Sequence, residues 1–574
     1  MTGGFANIIV DISHEKVDRP FQYLIPPQLQ GILEVGMSVM IPFGRGNKLI
    51  RGYVIELTDQ AEYDVSRLKA VDSIVEGGVS AQADSIRLAY WLKEHYGSTM
   101  IAALKTVLPV KKKMKQVVKK TIHCKVDSET AYRHSVIFEA KHQTAKCRLM
   151  RELSQTSQLP YTLVTGKLNI AAATIRSLVD AGLIEVTEEN VYRKPVLKSD
   201  LSGKDGTAKQ LSAEQQAVVD AISQDYSLGI SQTYLLRGIT GSGKTEVYMA
   251  LIERMIASGK QAIVLIPEIA LTYQTLLRFY LRFGDRVSVM NSRLSPGERF
   301  DQFERAKNGD VDIMIGPRSA LFTPFSKLGL IIIDEEHESS YKSETLPRYH
   351  ARETAIERAR MCGASVVLGS ATPSVESYYK AKTGEYELLE LKHRVAEKPL
   401  PKVEVVDLRE ELKAGNRSIL SVRLQELMED RLKKGQQMML FINRRGVAGF
   451  VSCRACGHVL KCPHCDVSLS QHVTRQHPEG KMVCHYCGYE IPMPKTCPAC
   501  GSRYISGFKA GTQKIEMIVK ERFPQARVLR MDMDTTRNKE GYEQILSAFA
   551  NQEADILIGT QMIVKGHDFP KVTL

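Results

Sequence analysis

The sequence predicts an α/β protein: two parallel-sheet lobes, the second interrupted by a metal-holding ribbon, preceded by a mostly-β domain and a winged helix. Three observations carry this. Beyond residue 210 the apolar runs TYLLRG, AIVLIP, VDIMIG, LIIID and SVVLGS alternate with helical stretches, and a second series (VEVVDL, MMLFIN, RVLRMD, ADILIG) begins near Pro401. Strands buried on both faces read as unbroken apolar runs, the texture of a parallel sheet covered by helices. At 574 residues the chain exceeds what one hydrophobic core serves, so several domains are expected. Eight of the 11 cysteines lie between Cys453 and Cys500, all in C-x-x-C pairs, a spacing that points to metal rather than disulfides.

In chain order, residues 1–110 mix short β-like runs (FQYLIP, SVMIPFG, RGYVIEL) with one helical stretch, ADSIRLAYWLKEHYG, and form the N-terminal domain. The Lys-rich run Lys111–Lys120 reads as a solvated boundary. Within 115–197, AAATIRSLVDAGLIEVTEENVYR supplies an amphipathic helix, a stop at Gly182 and a strand-turn-strand, hence the winged helix. Residues 198–210 are a Gly/Ser/Lys-rich linker without apolar period. Lobe one covers 211–400, and lobe two covers 401–450 and 505–574, with the cysteine region 451–504 inserted into it.

Lys and Arg number 78 against 65 Asp and Glu, a net charge of +13 that suits a polyanionic partner. No apolar run approaches the roughly 18–20 residues of a membrane span. The opening MTGGFANIIVDISHEKVDRP holds only the apolar hexamer Phe5–Val10 before charges arrive. It lacks the order of a signal peptide, so a cytoplasmic protein without membrane contact is expected.

The chemistry begins at Gly238-Ile239-Thr240-Gly241-Ser242-Gly243-Lys244-Thr245, a complete G-x-x-x-x-G-K-T between an apolar strand and a helix. In that setting backbone N–H groups wrap the phosphates of ATP and the helix N-terminus adds a favourable dipole. Lys244 is expected on the β/γ-phosphates and the Thr245 hydroxyl on Mg²⁺. Four apolar residues, Leu330–Ile333, then deliver Asp334 and Glu335 to a strand end, where such sheets bind ligands. Asp334 suits the Mg²⁺ shell, and Glu335 is placed to orient and deprotonate the attacking water. Gln215, in LSAEQQAVVDAI, is the residue chosen to pair with adenine.

The cysteine pairs are Cys453/Cys456, Cys462/Cys465, Cys484/Cys487 and Cys497/Cys500. Four thiolates make one closed tetrahedral zinc site, so eight make two. Eighteen residues separate Cys465 from Cys484, within ribbon spacing, whereas five separate Cys456 from Cys462, too few for two knuckles to turn and face each other. Cys462, Cys465, Cys484 and Cys487 are therefore assigned to one zinc and Cys453, Cys456, Cys497 and Cys500 to the other. The outer zinc then joins the two ends of the insertion, which lets lobe two continue its sheet across the excursion. His458, His464 and His485 are left as surface or neighbouring groups.

IPEIALTYQ, GPRSALFTP, GSATPS and GTQMIVKGHDFPKVTL, taken in order with GITGSGKT and DEEH, resemble the superfamily-two helicases. Within these they resemble the PriA family of bacterial replication-restart helicases. FINRRG followed directly by four cysteine pairs is specific to that family, and DRPFQYLIP and IPFGRG resemble its DNA 3′-end-binding domain. The resemblance implies two RecA-like lobes and a 3′→5′ DNA helicase that recognises stalled or branched replication forks and starts primosome assembly. It implies ATP, Mg²⁺ and two Zn²⁺ as cofactors. The implied partners are single-stranded and forked DNA, primosome proteins, the replicative helicase loader and single-stranded-DNA-binding protein, for a chain that is a monomer.

By the same resemblance, His337, Gly369, Ser370, Ala371 and Thr372 couple nucleotide state to lobe movement, and Gly559, Thr560, Gln561, Lys565, Gly566 and Asp568 act from lobe two. SYKSETLPRYHAR resembles the family's aromatic-rich loop: Tyr341, Tyr349 and His350 would stack on bases while Lys342, Arg348 and Arg352 meet phosphates. A pocket for a 3′-terminal nucleotide maps onto Phe21, Gln22, Gly44 and Lys69.

The chain departs from the pattern twice. Gln22 stands where the family often has Asp, and an amide accepts from a 3′-hydroxyl with less charge assistance than a carboxylate. The chain stops at FPKVTL, ahead of the motif that carries an arginine finger. It is therefore expected to be a C-terminally truncated fragment with crippled hydrolysis. Two rivals share parts of this pattern: a DNA-binding scaffold whose ATP site is only a switch, and another superfamily-two translocase or RNA helicase.

Overall fold

The computed structural model describes residues 4–75, 83–108, 114, 117–193, 210–268, 273–292, 294–395, 401–442, 451–472, 480–507, 511–532, 535–536, 541–560, 563 and 569–574. They form two compact units, Met1–Ile266 with Tyr280–His393, and Pro267–Phe279 with Arg394–Leu574.

The first unit opens with a five-stranded antiparallel sheet in the order Phe21–Leu24, Phe5–Val10, Lys48–Thr58, Ser38–Phe43, Ser73–Ile74. Alternation along each strand divides its side chains between two faces. Ile8, Val10 and Val54 enter one core, while Ile9 and Tyr53 pack on the other side with the helices Ala83–Tyr96 and Met100–Val107. Gly52 sits where a Cβ would lie 2.4 Å from Ile8, so the strands approach closely only because that side chain is missing. The helix Met100–Val107 is not legible as a period because Met100, Ile101, Ala103, Leu104 and Val107 are all buried.

Residues 117–193 pack four helices against a three-stranded antiparallel sheet of Gln158–Pro160, Val117–Cys124 and Ile184–Val191, around Ile122, Leu149, Val164 and Leu178. Two expectations change here. Ile184–Val191 is one uninterrupted strand rather than strand-turn-strand, and the end of the lysine run, Val117–Lys120, belongs to its partner strand. Lys119 stands opposite Glu189 and Lys120 opposite Glu188, the latter pair ion-paired, so cross-strand charge complementarity places these lysines in a sheet.

Lobe one holds a seven-stranded parallel sheet in the order Val287–Val289, Ile313–Gly316, Gln261–Leu265, Leu328–Asp334, Ser365–Ser370, Thr233–Gly238, Glu387–Leu391. The strands that end in the phosphate loop, the acidic pair and GSAT are therefore adjacent, with Asp334 beside Gly369 and Ser370 beside Arg237. The two edge strands are the ones the sequence leaves unmarked: VSV is three residues long, and ELLEL has intermediate exposure at four of five positions.

In the second unit, Met438–Phe441, Ile556–Gly559 and Val528–Met531 pair in parallel in that order. VEVVDL is not a strand. Residues 401–407 carry no regular structure, and Val403 and Val405 are 81% and 94% exposed. Among the described residues no strand pairs with them, so their alternation has no surface to bury against. Val451–Cys453 pairs antiparallel with Ile505–Gly507 and brings the ends of the insertion together, and Ser470–His472, Lys481–Val483 and Glu490–Pro492 form its inner sheet.

Candidate functional site

The phosphate loop follows the strand Thr233–Gly238 and ends in the helix Lys244–Ala257. Gly241 and Gly243 adopt φ of 83° and 79°, the left-handed region that favours glycine. A Cβ on Gly238 would meet the Ser242 hydroxyl at 2.5 Å and the Lys244 chain at 3.0 Å. Lys244 Nζ donates to the Gly238 carbonyl at 2.8 Å, so the ammonium lies inside the loop that would surround a phosphate.

Gln215 sits beneath this loop but is not free to read adenine. Only 2% exposed, its Oε1 accepts from the Ser212 backbone N–H at 2.8 Å and its Nε2 donates to the Ser242 carbonyl at 2.8 Å. The capping box at the start of Ala213–Ser227 claims one end of the amide and the phosphate loop the other. Gln215 therefore braces the loop.

Asp334 ends its strand with Oδ1 3.0 Å from the Tyr248 hydroxyl. Burial, then the neighbouring Glu335 charge, push its carboxyl up to about 6, against the opposing pull of Lys244. Glu335 takes φ 49°, strained for a non-glycine residue. His337 Nδ1 stands 3.6 Å from Glu335 Oε2 and 2.8 Å from Ser370 Oγ, which itself accepts from the Thr372 N–H. The Glu336 N–H donates to the Gly369 carbonyl at 3.1 Å, and a Cβ at Gly369 would overlap the Tyr248 hydroxyl at 1.7 Å. Asp334, Glu335, His337 and the GSAT residues thus form one bonded group at the sheet's C-terminal edge.

Glu336, which sequence reasoning passed over, is the most enclosed carboxylate here, its side chain 0% exposed. It accepts from Arg352 Nη1 at 2.8 Å, the Ser374 N–H at 2.6 Å and the Ser377 hydroxyl at 2.9 Å. This corrects the assignment of Arg352 to phosphate contact: its guanidinium is committed to Glu336, Ser374 and Ser377, with Glu353 alongside. The only sequence signal was an acidic residue where the strand turns, which does not distinguish a ligand from a buried anchor.

Tyr341 and Tyr349 are not stacking platforms in this structure. Tyr341 is 1% exposed, its hydroxyl 2.7 Å from the Asp334 carbonyl and 3.0 Å from that of Leu265. Tyr349 is 4% exposed and meets Phe322 edge-on at 5.4 Å, in the core shared with Leu88 and Leu92. Both rings are packed inside the protein, with no face open to a base. His350 caps the helix Ala351–Cys362, and burial holds its imidazole below its ordinary value. Lys342 and Arg348 remain exposed cations.

Phe21, Gln22, Gly44 and Lys69 do come together, lining a cavity of about 550 Å³ with Arg19 and Asp64. Lys69 Nζ donates to the Gly44 carbonyl at 2.7 Å, and the Arg19 guanidinium lies 5.3 Å from the Phe21 ring. Gln22, 6% exposed, accepts from the Glu62 N–H at 2.8 Å and donates to the Gln60 carbonyl at 3.1 Å. Its amide holds the neighbouring turn, so Asp64 is the carboxylate on the cavity wall. Of the lobe-two residues, Gly559 ends its strand, Thr560 is buried and accepts from the Ile563 N–H, and Gln561, Lys565, Gly566 and Asp568 lie outside the described residues.

The cysteines gather as Cys453, Cys456, Cys497, Cys500 and as Cys462, Cys465, Cys484, Cys487, each set with its Sγ atoms within 4.8 Å of one another. Sulfur–sulfur distances of 3.7 Å (Cys453–Cys500 and Cys456–Cys497) and 3.5 Å (Cys462–Cys487) match the roughly 3.8 Å edge of a tetrahedron with ~2.3 Å metal–sulfur bonds. All four knuckles repeat one backbone pattern: the first cysteine's carbonyl accepts from the N–H of Gly457, Asp466, Gly488 or Gly501, each at positive φ. Among the described residues no histidine joins either set, and His485 instead meets His472 at 3.2 Å.

Residues 7–109 match the 3′DNA-binding domain (3′BD) of PriA, residues 212–381 the DEAD/DEAH box helicase domain, and residues 462–492 the PriA DNA helicase Cys-rich region domain. Replication restart protein PriA of Bacillus subtilis (strain 168) is 40% identical over 99% of this chain and 78% of its own length. The protein of that name from Chlamydia trachomatis is 36% identical over 99% of this chain and 75% of its own length, and that from Haemophilus influenzae 35% identical over 97% and 74%.

Proposed function

The chain belongs to the PriA family of replication restart proteins, and from that premise we propose that it is an ATP-dependent DNA helicase that recognises forked DNA for replication restart. The observation that carries this is the contiguity of three strand ends: the phosphate loop, Asp334–Glu335 and GSAT lie on neighbouring strands and are joined by hydrogen bonds. Lys244 grips the β/γ-phosphates, the glycine loop supplies N–H donors, and Glu335 positions and deprotonates water. Thr245 and Asp334 would hold Mg²⁺, which screens phosphate charge when bound. The His337–Ser370 bond carries nucleotide state from Glu335 to GSAT.

The finer assignments follow from this reading. Phe21, Lys69, Gly44 and Arg19 receive a DNA 3′ terminus, and Lys342 and Arg348 meet backbone phosphate. Residues 1–110 are the end-binding domain, 115–197 the winged helix, 198–210 the linker, 211–400 lobe one, 401–450 and 505–574 lobe two, and 451–504 a two-zinc platform. Translocation is 3′→5′, with Gly559–Asp568 acting from lobe two. The partners are primosome proteins, the helicase loader and single-stranded-DNA-binding protein, and the setting is the cytoplasm; no helix among the described residues is long and apolar enough to cross a membrane.

The test is binding and unwinding of synthetic forks with and without a 3′ leading-strand end. Lys244→Ala is expected to retain fork binding and lose unwinding. Equal binding to both forks would refute end recognition, and unwinding by the variant would refute the motor.

A further inference from the structure

The segment after the acidic motif closes into a hairpin. Lys342 and His350 pair as an antiparallel bridge, and the Ser343 N–H donates to the Tyr349 carbonyl at 2.8 Å. A residue of the N-terminal domain, Tyr96, holds both strands of this hairpin at its mouth. The Tyr96 hydroxyl oxygen accepts from the His350 backbone N–H at 3.2 Å, and Lys342 Nζ lies 5.1 Å from the centre of the Tyr96 ring. At the far end, Leu346 lines a second cavity with Ser98, Thr99 and Asp18 of the N-terminal domain.

The hairpin's base is tied to the nucleotide site. Tyr341 immediately precedes Lys342, and its hydroxyl is 2.7 Å from the carbonyl of Asp334, whose side chain meets Tyr248 of the phosphate-loop helix. On its other side Tyr96 packs edge-on against Trp91 at 5.8 Å, in the helix whose Leu88 and Leu92 support the N-terminal sheet. A continuous chain of bonded and packed groups thus joins the domain proposed to bind DNA ends to the carboxylate proposed to hold Mg²⁺.

We propose that Tyr96 latches the hairpin 342–350 to the N-terminal domain and so couples DNA binding there to nucleotide binding at the phosphate loop. Tyr96 touches neither ligand and is a positioning residue. Both ligands favour the latched hairpin: DNA through its contacts with the domain that carries Tyr96, nucleotide by fixing Asp334 and, through its carbonyl, Tyr341. The proposal rests on the helicase reading above.

Linkage makes the test one of equilibrium binding, independent of turnover. Anisotropy gives the affinity for a 3′-ended oligothymidylate with and without a non-hydrolysable ATP analogue and Mg²⁺. One neutral hydrogen bond corresponds to about a fivefold equilibrium bias, so the analogue should tighten oligonucleotide binding in the parent by about that factor. In Tyr96→Phe, which keeps the ring and its contact with Lys342, the separate affinities should persist and the enhancement fall most of the way to one. A packing role alone would weaken both affinities and leave their ratio intact. Should Tyr96→Phe fold poorly, Lys342→Gln tests the other grip, with partial loss of the ratio expected whatever its effect on DNA affinity. An undiminished ratio in a folded variant, or no enhancement in the parent, overturns the latch. A parent that binds neither ligand instead overturns the helicase reading beneath it.

Discussion

Arg352→Met should cost stability out of proportion to the loss of one ion pair. Glu336, with no side-chain exposure, would keep its contacts to Ser374 and Ser377 but lose the one cation within bonding distance among the described residues. Removing one partner of a buried pair costs about 3–5 kcal/mol, whereas an exposed pair is worth about 1 kcal/mol or less. Two of the four groups bonded to Glu336 would remain hydroxyls and one a backbone N–H, so the lower half of that range, about 3 kcal/mol, is expected. Glu336→Gln in the same chain removes the stranded charge, and the double variant should recover about 2 kcal/mol of the loss. Urea unfolding followed by the single tryptophan provides the assay, since Trp91 lies in the helix that shares a core with Tyr349, three residues before Arg352. A cost near 1 kcal/mol for Arg352→Met, or a double variant no better than the single, would show that Glu336 is solvated or neutral and would refute the anchor.

Gly369→Ala should displace the Tyr248 hydroxyl that a Cβ would overlap, weakening Mg²⁺-nucleotide binding about tenfold, and titration of a fluorescent nucleotide checks it. The raised Asp334 carboxyl makes metal binding pH-dependent: below about pH 6 it carries a proton that Mg²⁺ must displace. Affinity should be flat above about pH 7 and fall up to tenfold per unit below pH 6, with Asp334→Asn abolishing the slope. The same shift has a stability sign. With the folded value above the ordinary aspartate value of 3.8, Asp334 favours the folded state at low pH, and that advantage is lost as pH rises through about 6. Native mass spectrometry should find two zinc ions per chain; Cys453→Ser should lose one and free the ends of the insertion, Cys484→Ser the other, and a shared loss would refute two separate sites.

Local pattern sufficed wherever one stretch of chain performs its own task. GITGSGKT reads as a phosphate loop because Gly241 and Gly243 allow the positive φ they adopt and the lysine follows at fixed spacing, all within eight consecutive residues. The cysteine pairs likewise declare metal, and the count of residues between pairs limits which can meet. The core strands of lobe one read through because burial on both faces demands unbroken apolar runs. What the sequence could not decide were matters of partnership. VEVVDL has strand composition and no partner strand among the described residues, whereas Lys119 and Lys120, exposed as their type suggests, nonetheless stand in a strand opposite Glu189 and Glu188.

The acidic motif draws the same line most sharply. Asp334, Glu335 and Glu336 are chemically near-identical neighbours. The first faces Tyr248, the second is aimed by a strained φ, and the third turns inward onto Arg352 from another element. Gln215, Gln22, Tyr341 and Tyr349 follow the same logic: residue type marks them as able to bind a ligand, and only packing shows that their polar or aromatic groups are already engaged. Residue type and spacing determined which chemistry this protein carries. The tertiary structure decided which side chains are free to perform it, because a hydrogen-bonding group or ring face satisfied within the fold gains little by exchanging that partner for a ligand.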